Sequence, residues 1–435
     1  MQLKPDTTNV RRRLIAASCA LLSATAARSQ EVSAVSPDGG NVDWRFDSAL
    51  AYYHENGRVQ AVEPVVNVSK NYDDGEALGL NLALDSLTGS SPNGALTSNK
   101  PQTFASPSGK SLTLSSHTYT TDPGQLPVDP HYHDQRLALG GDWQLPLTRL
   151  TSTSVGGKVS YEHDFLSASV NATIAHDFNQ KNTTLSFGIN DESDSIHPIG
   201  AAPVPGSDYA LFEKTGHESK NGVGALLGVT QVITRRWLSE FNLSVDRFTG
   251  YLNDPYKIIS VIDSVGNITG YVYENRPDQR LRKSAYLENR VAWDRESAAL
   301  SLRYMTDDWG VHSETAQLHL RWWASDRGQY WEPTVRWYRQ TAADFYSPWI
   351  TGSSIPSIVY ASADTRLGAF HALTYGVKYA LKLGDQVEGT GTELSFRVEA
   401  YQQIIDHRAP APSALQGLDL YPNLQAILFQ VGVSF

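Results

Sequence analysis

The sequence is almost free of sulfur. Its 435 residues include one cysteine and two methionines, and the cysteine, Cys19, lies near the amino terminus. There, three arginines (Arg11, Arg12 and Arg13) precede an apolar stretch that contains the small residues Ala24-Thr25-Ala26. This is the pattern of a cleaved secretory signal peptide. We therefore predict a signal peptide at 1–26 and a mature chain without cysteine, as suits an oxidising envelope compartment.

Two details of this segment stay open. Cleavage after Ser29 fits nearly as well as cleavage after Ala26. Cys19 could be a lipoprotein acceptor, but the apolar stretch before it, Leu14 to Ser18, is short. The dimensions of the segment favour an ordinary signal-peptide residue.

Long hydrophobic runs are also missing from the mature chain. No run of 18 or more apolar residues follows residue 26, so the sequence predicts no transmembrane helix. Only helices and closed barrels satisfy every backbone polar group in lipid. The mature chain is therefore expected to be a membrane barrel or a soluble all-β protein.

Positive charge is scarce too. The full chain has a formal net charge of −10, and removal of residues 1–26 takes away a net +3 and leaves −13. Without a basic patch we expect no nucleic-acid partner. The sequence has no glycine-rich phosphate loop, and we expect no cofactor.

What the chain does have is alternation of apolar and polar side chains with a period of two residues. The last such stretch places Phe429, Val431, Val433 and the terminal Phe435 on one face. It resembles the signal by which the barrel-assembly machinery recognises outer-membrane proteins, so we expect that machinery and outer-membrane lipid as partners. About sixteen strands are predicted, at 43–55, 59–71, 76–87, 134–146, 150–163, 166–178, 182–192, 221–234, 237–250, 282–294, 297–308, 313–325, 329–341, 364–381, 389–402 and 421–435.

The connections between these strands fall into two classes. Those after even-numbered strands are mostly tight turns. The long ones all follow odd-numbered strands, at 88–133, 193–220, 251–281, 342–363 and 403–420. Membrane barrels have short periplasmic turns and long extracellular loops, whereas a soluble fold has no reason to sort its loops in this way. The pattern predicts an all-β, antiparallel, up-and-down transmembrane barrel at 43–435, after a short periplasmic stub at 27–42.

The polar face of the second half carries charges of both signs. In a membrane barrel this face lines the lumen. Such charges could form a ladder of ion pairs that fills a narrow lumen, or a lining for a solute or a threaded segment, and alternation alone does not choose between them. The predicted lumen-lining residues are Glu288, Arg290, Arg303, Arg321, Glu332, Arg336, Arg366, Lys378, Glu393, Arg397 and Glu399.

One pair of histidines has spacing that suits a metal site. His131 and His133 would share a face of a strand, with His117 or Asp129 as a third ligand, but a structural zinc site normally has four ligands. The acidic segment Asp191 to Ser195 looks like a turn at a strand tip. It lacks the glycine and terminal glutamate of an EF-hand loop, so a solvated turn is the favoured interpretation.

A hydrolytic site is a further alternative. His54, His163 and His312 would lie at the outer rim of the predicted barrel. A catalytic triad is defined by geometry, and the sequence shows no Ser-His-Asp arrangement. We therefore expect no enzyme activity.

Several segments, taken together, resemble the domain-of-unknown-function 3570 family of predicted bacterial outer-membrane β-barrel proteins. The resemblance implies a barrel in the outer membrane of a Gram-negative bacterium and no established activity. It also implies an association with a flavin-linked envelope redox system and a small lipoprotein. The segments are 85–95, 177–185, 252–257, 273–277, 342–346 and 364–366.

Three functions follow as expectations. The first is a porin-like channel, or an envelope-docking protein, with an Arg/Glu-lined lumen. The second is a closed-lumen scaffold in the redox system, with a periplasmic or lipoprotein partner. The third is an outer-membrane hydrolase.

Overall fold

The computed structural model describes residues 44–106, 118–324, 328–352, 358–383, 391–406 and 408–435. The predicted signal peptide (1–26), the stub (27–42) and the possible metal ligand His117 lie outside the described residues.

Sixteen antiparallel strands form a closed barrel, and each pairs with its neighbours in chain order. The last strand pairs with the first and closes the ring. The barrel strands are β1 (Trp44–Glu55), β2 (Gln60–Asn71), β3 (Ala77–Thr88), β6 (His133–Pro146), β7 (Thr151–Tyr161), β8 (Phe165–Phe178), β9 (Thr183–Ile196), β12 (Glu218–Thr234), β13 (Trp237–Gly250), β16 (Gln279–Ala292), β17 (Glu296–Asp307), β18 (His312–Trp323), β19 (Gln329–Gln340), β21 (Phe370–Leu383), β22 (Thr392–Ile405) and β23 (Leu424–Ser434). The predicted barrel of sixteen strands is confirmed.

The outer surface of the barrel is apolar. On β3, Leu80 and Leu84 are 47% and 45% exposed, whereas Ala83 on the inner face is only 3% exposed. Phe429 on β23 is 47% exposed. A soluble barrel would bury these side chains, whereas a membrane barrel turns them toward lipid and keeps polar groups inside. The fold is therefore a transmembrane β-barrel.

Three sequence predictions about local structure were wrong. Strand β21 begins at Phe370 and not at residue 364. Arg366 therefore lies before the strand, on the 3-10 helix Thr365–Leu367, where the side chain of Asp364 accepts a hydrogen bond from the Arg366 backbone N–H at 3.0 Å. Asp191 to Ser195 is not a turn, because β9 continues to Ile196 and pairs with β12.

The connections confirm the predicted asymmetry. Short turns such as 72–76, 147–150 and 235–236 join strands at one end, here called the turn end. The opposite, loop end carries five long connections: 89–132, 197–217, 251–278, 341–369 and 406–423. These contain the short strands β4 (Gln102–Ala105), β5 (Thr118–Thr121), β10 (Ala202–Pro203), β11 (Lys214–Gly216), β14 (Ile258–Ile262), β15 (Ile268–Tyr273) and β20 (Trp349–Thr351).

No helix among the described residues is long and apolar enough to cross a membrane.

Candidate functional site: a charged lumen beneath a loop cap

The five long connections pack on one another at the loop end. Their centre is β14, whose five residues are all buried and which pairs antiparallel with β15 and parallel with β20. The Ile258 backbone N–H donates to the Asn93 carbonyl at 2.9 Å, and Thr97 Oγ1 donates to the Asp419 carbonyl at 3.1 Å. Because these connections start from strands on different sides of the ring, they can meet only by crossing the barrel mouth. We call their described residues the cap.

The cap has a hydrophobic core of its own. Ile259 and Val261 of β14 pack with Val272 of β15 and Ile350 of β20. On the other face, Ile258 packs with an aromatic group that includes Phe104, which is 1% exposed. Each fully buried side chain of this size contributes about 1.5–3 kcal/mol. The cap is therefore a folded layer held by its own packing.

A buried group of ions ties three of the long connections together: 89–132, 251–278 and 341–369. Arg276 Nη2 lies 2.9 Å from Asp364 Oδ2 and donates to Glu274 Oε2 at 2.9 Å. Lys257, which is 4% exposed, donates from Nζ to Ser91 Oγ at 2.8 Å. We call Asp254, Lys257, Glu274, Arg276 and Asp364 the cap network. Arg366 extends it at the surface, where its side chain is 63% exposed and its Nη2 lies 2.9 Å from Asp254 Oδ2.

The two central carboxyl groups of the network respond differently to burial. Burial raises the pKa of Glu274 above its ordinary value, and Arg276 offsets only part of the effect. Burial opposes ionisation of Asp364 as well, but Arg366, Lys257 and Arg276 together outweigh it and hold the pKa of Asp364 below its ordinary value. Asp364 therefore supplies a permanent negative charge at the junction of these connections.

Beneath the cap, one wall of the lumen is rich in acidic residues. Strand register places them on the same inward face as buried small residues such as Ser154 and Ala175. Lys220 Nζ on β12 lies 2.9 Å from Asp194 Oδ2, and Arg136 pairs with Asp85. We define this acidic wall by Asp85, Asp142, Asp177, Glu192, Asp194, Glu240 and Asp246.

Two glycines on β12 leave space for polar side chains of the neighbouring strands of the acidic wall. A Cβ atom at Gly224 would lie 2.3 Å from Asn190 Oδ1 and 2.6 Å from Asp246 Oδ1. A Cβ atom at Gly228 would lie 2.4 Å from Ser186 Oγ. Polar side chains of β9 and β13 thus lie across β12, where only glycine leaves room for them.

The opposite wall, on β16 to β22, carries most of the cations. Register puts ten of the predicted lumen-lining residues on its inward face: Glu288, Arg290, Arg303, Arg321, Glu332, Arg336, Lys378, Glu393, Arg397 and Glu399. Arg366, the eleventh, lies in the cap. We call this second surface the basic wall.

Ion pairs cross neighbouring strands of the basic wall. Arg321 Nε donates to Glu332 Oε2 at 2.6 Å, and Lys378 Nζ lies 3.5 Å from Glu393 Oε1. Arg290 contacts Glu288 on its own strand. Arg303 and Arg336 form no ion pair within the described strands, although Arg303 is close enough to Asp246 for their charges to interact.

The acidic wall was not predicted from the sequence. On those strands glycine, serine and asparagine alternate with the apolar residues, and the carboxylates are spread thinly among them. The signal was nevertheless present, because every acidic residue of this wall has the parity opposite to the exposed leucines, valines and isoleucines of its own strand.

The predicted metal ligands are not brought together in the described part of the chain. His131 and His133 are exposed, and the carboxylate of Asp129 accepts hydrogen bonds from the backbone of His131 at 2.9 Å and from Ser106. A cluster of three acidic side chains lies nearby. Carboxylate oxygens of Asp134, Glu162 and Asp164 fall within 4.8 Å of one another.

Glu162 belongs to that acidic cluster and lies in the short connection between β7 and β8. Burial and its neighbours Asp134 and Asp164 raise the pKa of Glu162 to about 7. At neutral pH this carboxyl group is therefore partly protonated.

The three rim histidines lie at separate points of the ring. His54 is on the outward face of β1, His312 is the first residue of β18, and His163 is in the connection between β7 and β8. Because these elements are far apart in strand order, the three side chains do not form one site.

The family model described as "Protein of unknown function (DUF3570)" matches residues 11–435. The chain belongs to this family. No curated protein matches the sequence.

Several solved structures are similar to this chain. CdiB from Acinetobacter baumannii has a TM-score of 0.44 at 9% identity, over 91% of this chain and 60% of CdiB. This chain thus spans about 60% of the length of CdiB. OccD3 (OpdP) from Pseudomonas aeruginosa has a TM-score of 0.44 at 9% identity, over 95% of this chain and 98% of OccD3. A bacterial polysaccharide outer membrane secretin has a TM-score of 0.43 at 9% identity, over 92% and 100%.

Proposed function

We propose that this member of the family is an outer-membrane channel that conducts small polar solutes through its charged lumen. The observation that carries the proposal is the partial exposure of the lumen charges. The side chains of Arg321 and Lys378 keep 23% and 17% of their surface accessible, even though each forms an ion pair. Buried charges that lose all contact with water are costly, so this exposure supports a hydrated lumen.

The two walls give the lumen a transverse electric field. Acidic residues lie on β3 to β13. Arg303 and Arg336 lie on β17 and β19, which are across the ring from β3 and β7. A low-dielectric tube that separates opposite charges focuses field lines across its interior. A solute that carries both charges would be oriented by this field, and a small anion would follow the basic wall.

The cap supplies control of access. It crosses the mouth at the loop end, which we place on the cell surface because long loops are extracellular in this class of barrel. Insertion would use the barrel-assembly machinery, which would recognise β23 and its terminal Phe435. In this proposal the cap network and the cap core determine how often the mouth opens.

Planar-bilayer recording tests this proposal. Purified protein is expected to give discrete current steps, with a reversal potential that depends on the charges of the lumen. The absence of steps at any voltage from correctly folded protein would contradict it.

A closed-lumen scaffold is a second candidate, and the cap favours it, because a folded layer across the mouth could block passage altogether. A periplasmic or lipoprotein partner in a flavin-linked system would then be the functional contact. Current steps separate the two candidates, since the scaffold predicts none even when the cap is loosened by mutation.

Neither candidate includes a catalytic step. A hydrolase would require turnover of a lipid or peptide that is lost when His54, His163 or His312 is replaced. Detection of such turnover would replace the present proposal.

A further inference from the structure

The outer face of the barrel has a groove near the loop end, on β9 to β19. It consists of two adjoining depressions of about 450 Å³ and about 390 Å³. They share Ala285 and Tyr304 as wall residues, and Tyr304, which is 46% exposed, stands between them as a ridge. We call the two depressions the outer groove.

Small residues create this groove. Ala225 on β12, Ala285 on β16 and Ala316 on β18 all face outward and line it. Their neighbours are large, among them Phe187 and Leu243, which are 48% and 44% exposed. Alanines among large apolar side chains leave gaps on the outer surface, and hydrocarbon chains can fill such gaps.

Two basic residues lie at the end of the groove nearest the loops. Lys283 lines the larger depression and is paired in register with Val245, two residues before Arg247 on the neighbouring strand. Both basic side chains are exposed. Arg247 Nη2 donates to Gln279 Oε1 at 2.9 Å, and within the described residues neither cation forms an ion pair.

Acidic groups on the outward face lie to either side of this pair. Glu314 lines the smaller depression beyond Tyr304 and is paired in register with Arg339. Asp191 is paired in register with Val223, beyond the edge of the larger depression. The loop end of the larger depression therefore carries two cations, Arg247 and Lys283, and one carboxylate, because the exposed Asp308 accepts a hydrogen bond from the Leu281 backbone N–H at 2.9 Å. Only apolar and small side chains lie below.

We propose that the outer groove binds a phosphorylated, multiply acylated lipid of the leaflet at the loop end. Its acyl chains would lie against Ala225 and Ala285 on the β12 side of Tyr304 and against Ala316 on the β18 side. Its phosphate would lie between Arg247 and Lys283. Guanidinium groups recognise phosphate through paired hydrogen bonds, and lysine adds a point charge. A zwitterionic lipid would bring its own ammonium group against these cations and bind less well.

Native mass spectrometry of the purified full-length barrel in detergent tests this site, with bisphosphorylated lipid A as the probe. The wild type is expected to retain lipid A and to bind phosphatidylethanolamine at least several-fold less. Combined Arg247→Ala and Lys283→Ala substitutions are expected to lower lipid A binding about ten-fold. Ala285→Leu, which fills the groove, is expected to lower binding while leaving both cations in place.

Two controls keep the result interpretable. Lys70→Ala removes an outward-facing cation at the turn end, which lies against Trp44 and Tyr72, and lipid A binding should not change. The mobility of unheated samples in gels shows whether each variant is folded; if Ala285→Leu does not fold, Ala225→Leu replaces it.

Equal lipid A binding by the wild type and the double variant would overturn the proposal, and so would undiminished binding after the groove is filled. Equal loss in Lys70→Ala would also overturn it, because binding would then reflect overall charge alone. The measurement needs no conductance, so its outcome is independent of the channel proposal.

Discussion

Phe46 and Phe435 join the first and last strands of the barrel where it closes. Their backbones exchange two hydrogen bonds, with the Phe46 N–H donating at 2.8 Å and the Phe435 N–H donating at 2.9 Å. Their rings stack with centroids 5.3 Å apart on the outer surface. The terminal residue is therefore part of the seam between β1 and β23, in addition to its predicted role as an insertion signal.

This relationship predicts that Phe435 acts after insertion as well as before it. Phe435→Ala should lower the free energy of unfolding of the inserted barrel. Loss of the aromatic pair should account for roughly 0.5–1.5 kcal/mol, in addition to the loss that follows from the smaller apolar contact area. Urea unfolding in lipid vesicles measures this change. Phe46→Ala and the double variant complete a thermodynamic cycle, and strictly additive effects would show that the stacking contributes nothing.

The cap network predicts a local effect of Arg276. Arg276→Gln leaves two buried carboxyl groups, those of Glu274 and Asp364, without their shared cation, a change that typically costs about 3–5 kcal/mol. The cap should loosen while the barrel stays closed. Limited proteolysis should then cut within 251–278 or 341–369 much faster than in the wild type.

Arg236→Ala is the matched control for this variant. Arg236 pairs with Asp294 at 2.6 Å at the turn end, where the two side chains are 60% and 84% exposed, and such surface pairs contribute little. If both variants leave proteolysis unchanged, the network does not hold the cap in place. If the chain is a channel, Arg276→Gln should also raise the fraction of time it is open.

The lumen predicts a change of ion selectivity when its walls are altered. Combined Arg303→Ala and Arg336→Ala substitutions remove two positive charges that form no ion pair with a described carboxylate. Permeability should shift toward cations, because the acidic wall stays intact. Reversal potentials across a salt gradient measure the shift. Asp142→Asn on the acidic wall should move the reversal potential in the opposite direction. A shift of the same sign from both variants would contradict the proposal that the two walls carry opposite charge.

The barrel could be predicted from sequence because lipid and a hydrated interior impose strict alternation on every strand. Each of the sixteen strands was located from that alternation, and the segregation of loop lengths gave the asymmetry of the two ends. The last strand was the clearest, since Phe429 and Val431 face outward without interruption down to Phe435.

The cap could not be predicted in the same way. Its short strands, such as β14 and β20, pair across more than eighty residues of sequence, and nothing local indicates such partners. Arg366 illustrates the difficulty. It fits the alternation of β21, but Asp364 folds the chain into a turn there and takes Arg366 into a network with Asp254. The acidic wall was missed for another reason, because glycine and serine dilute its charges.

Glu162 gives a prediction about pH. Its pKa in the folded chain is raised from 4.5 to about 7, so between these values the folded state binds more protons than the unfolded state, and the free energy of unfolding should fall as pH rises. Glu162→Gln should remove this dependence and stabilise the barrel at pH 8 by about 1–2 kcal/mol after allowance for solvent screening. Urea unfolding in vesicles at pH 5 and pH 8 measures both effects. Asp122→Asn, at an exposed carboxylate of the cap, serves as the control. Identical pH dependence in the wild type and Glu162→Gln would show that burial and the carboxyl groups of Asp134 and Asp164 do not raise the pKa of Glu162.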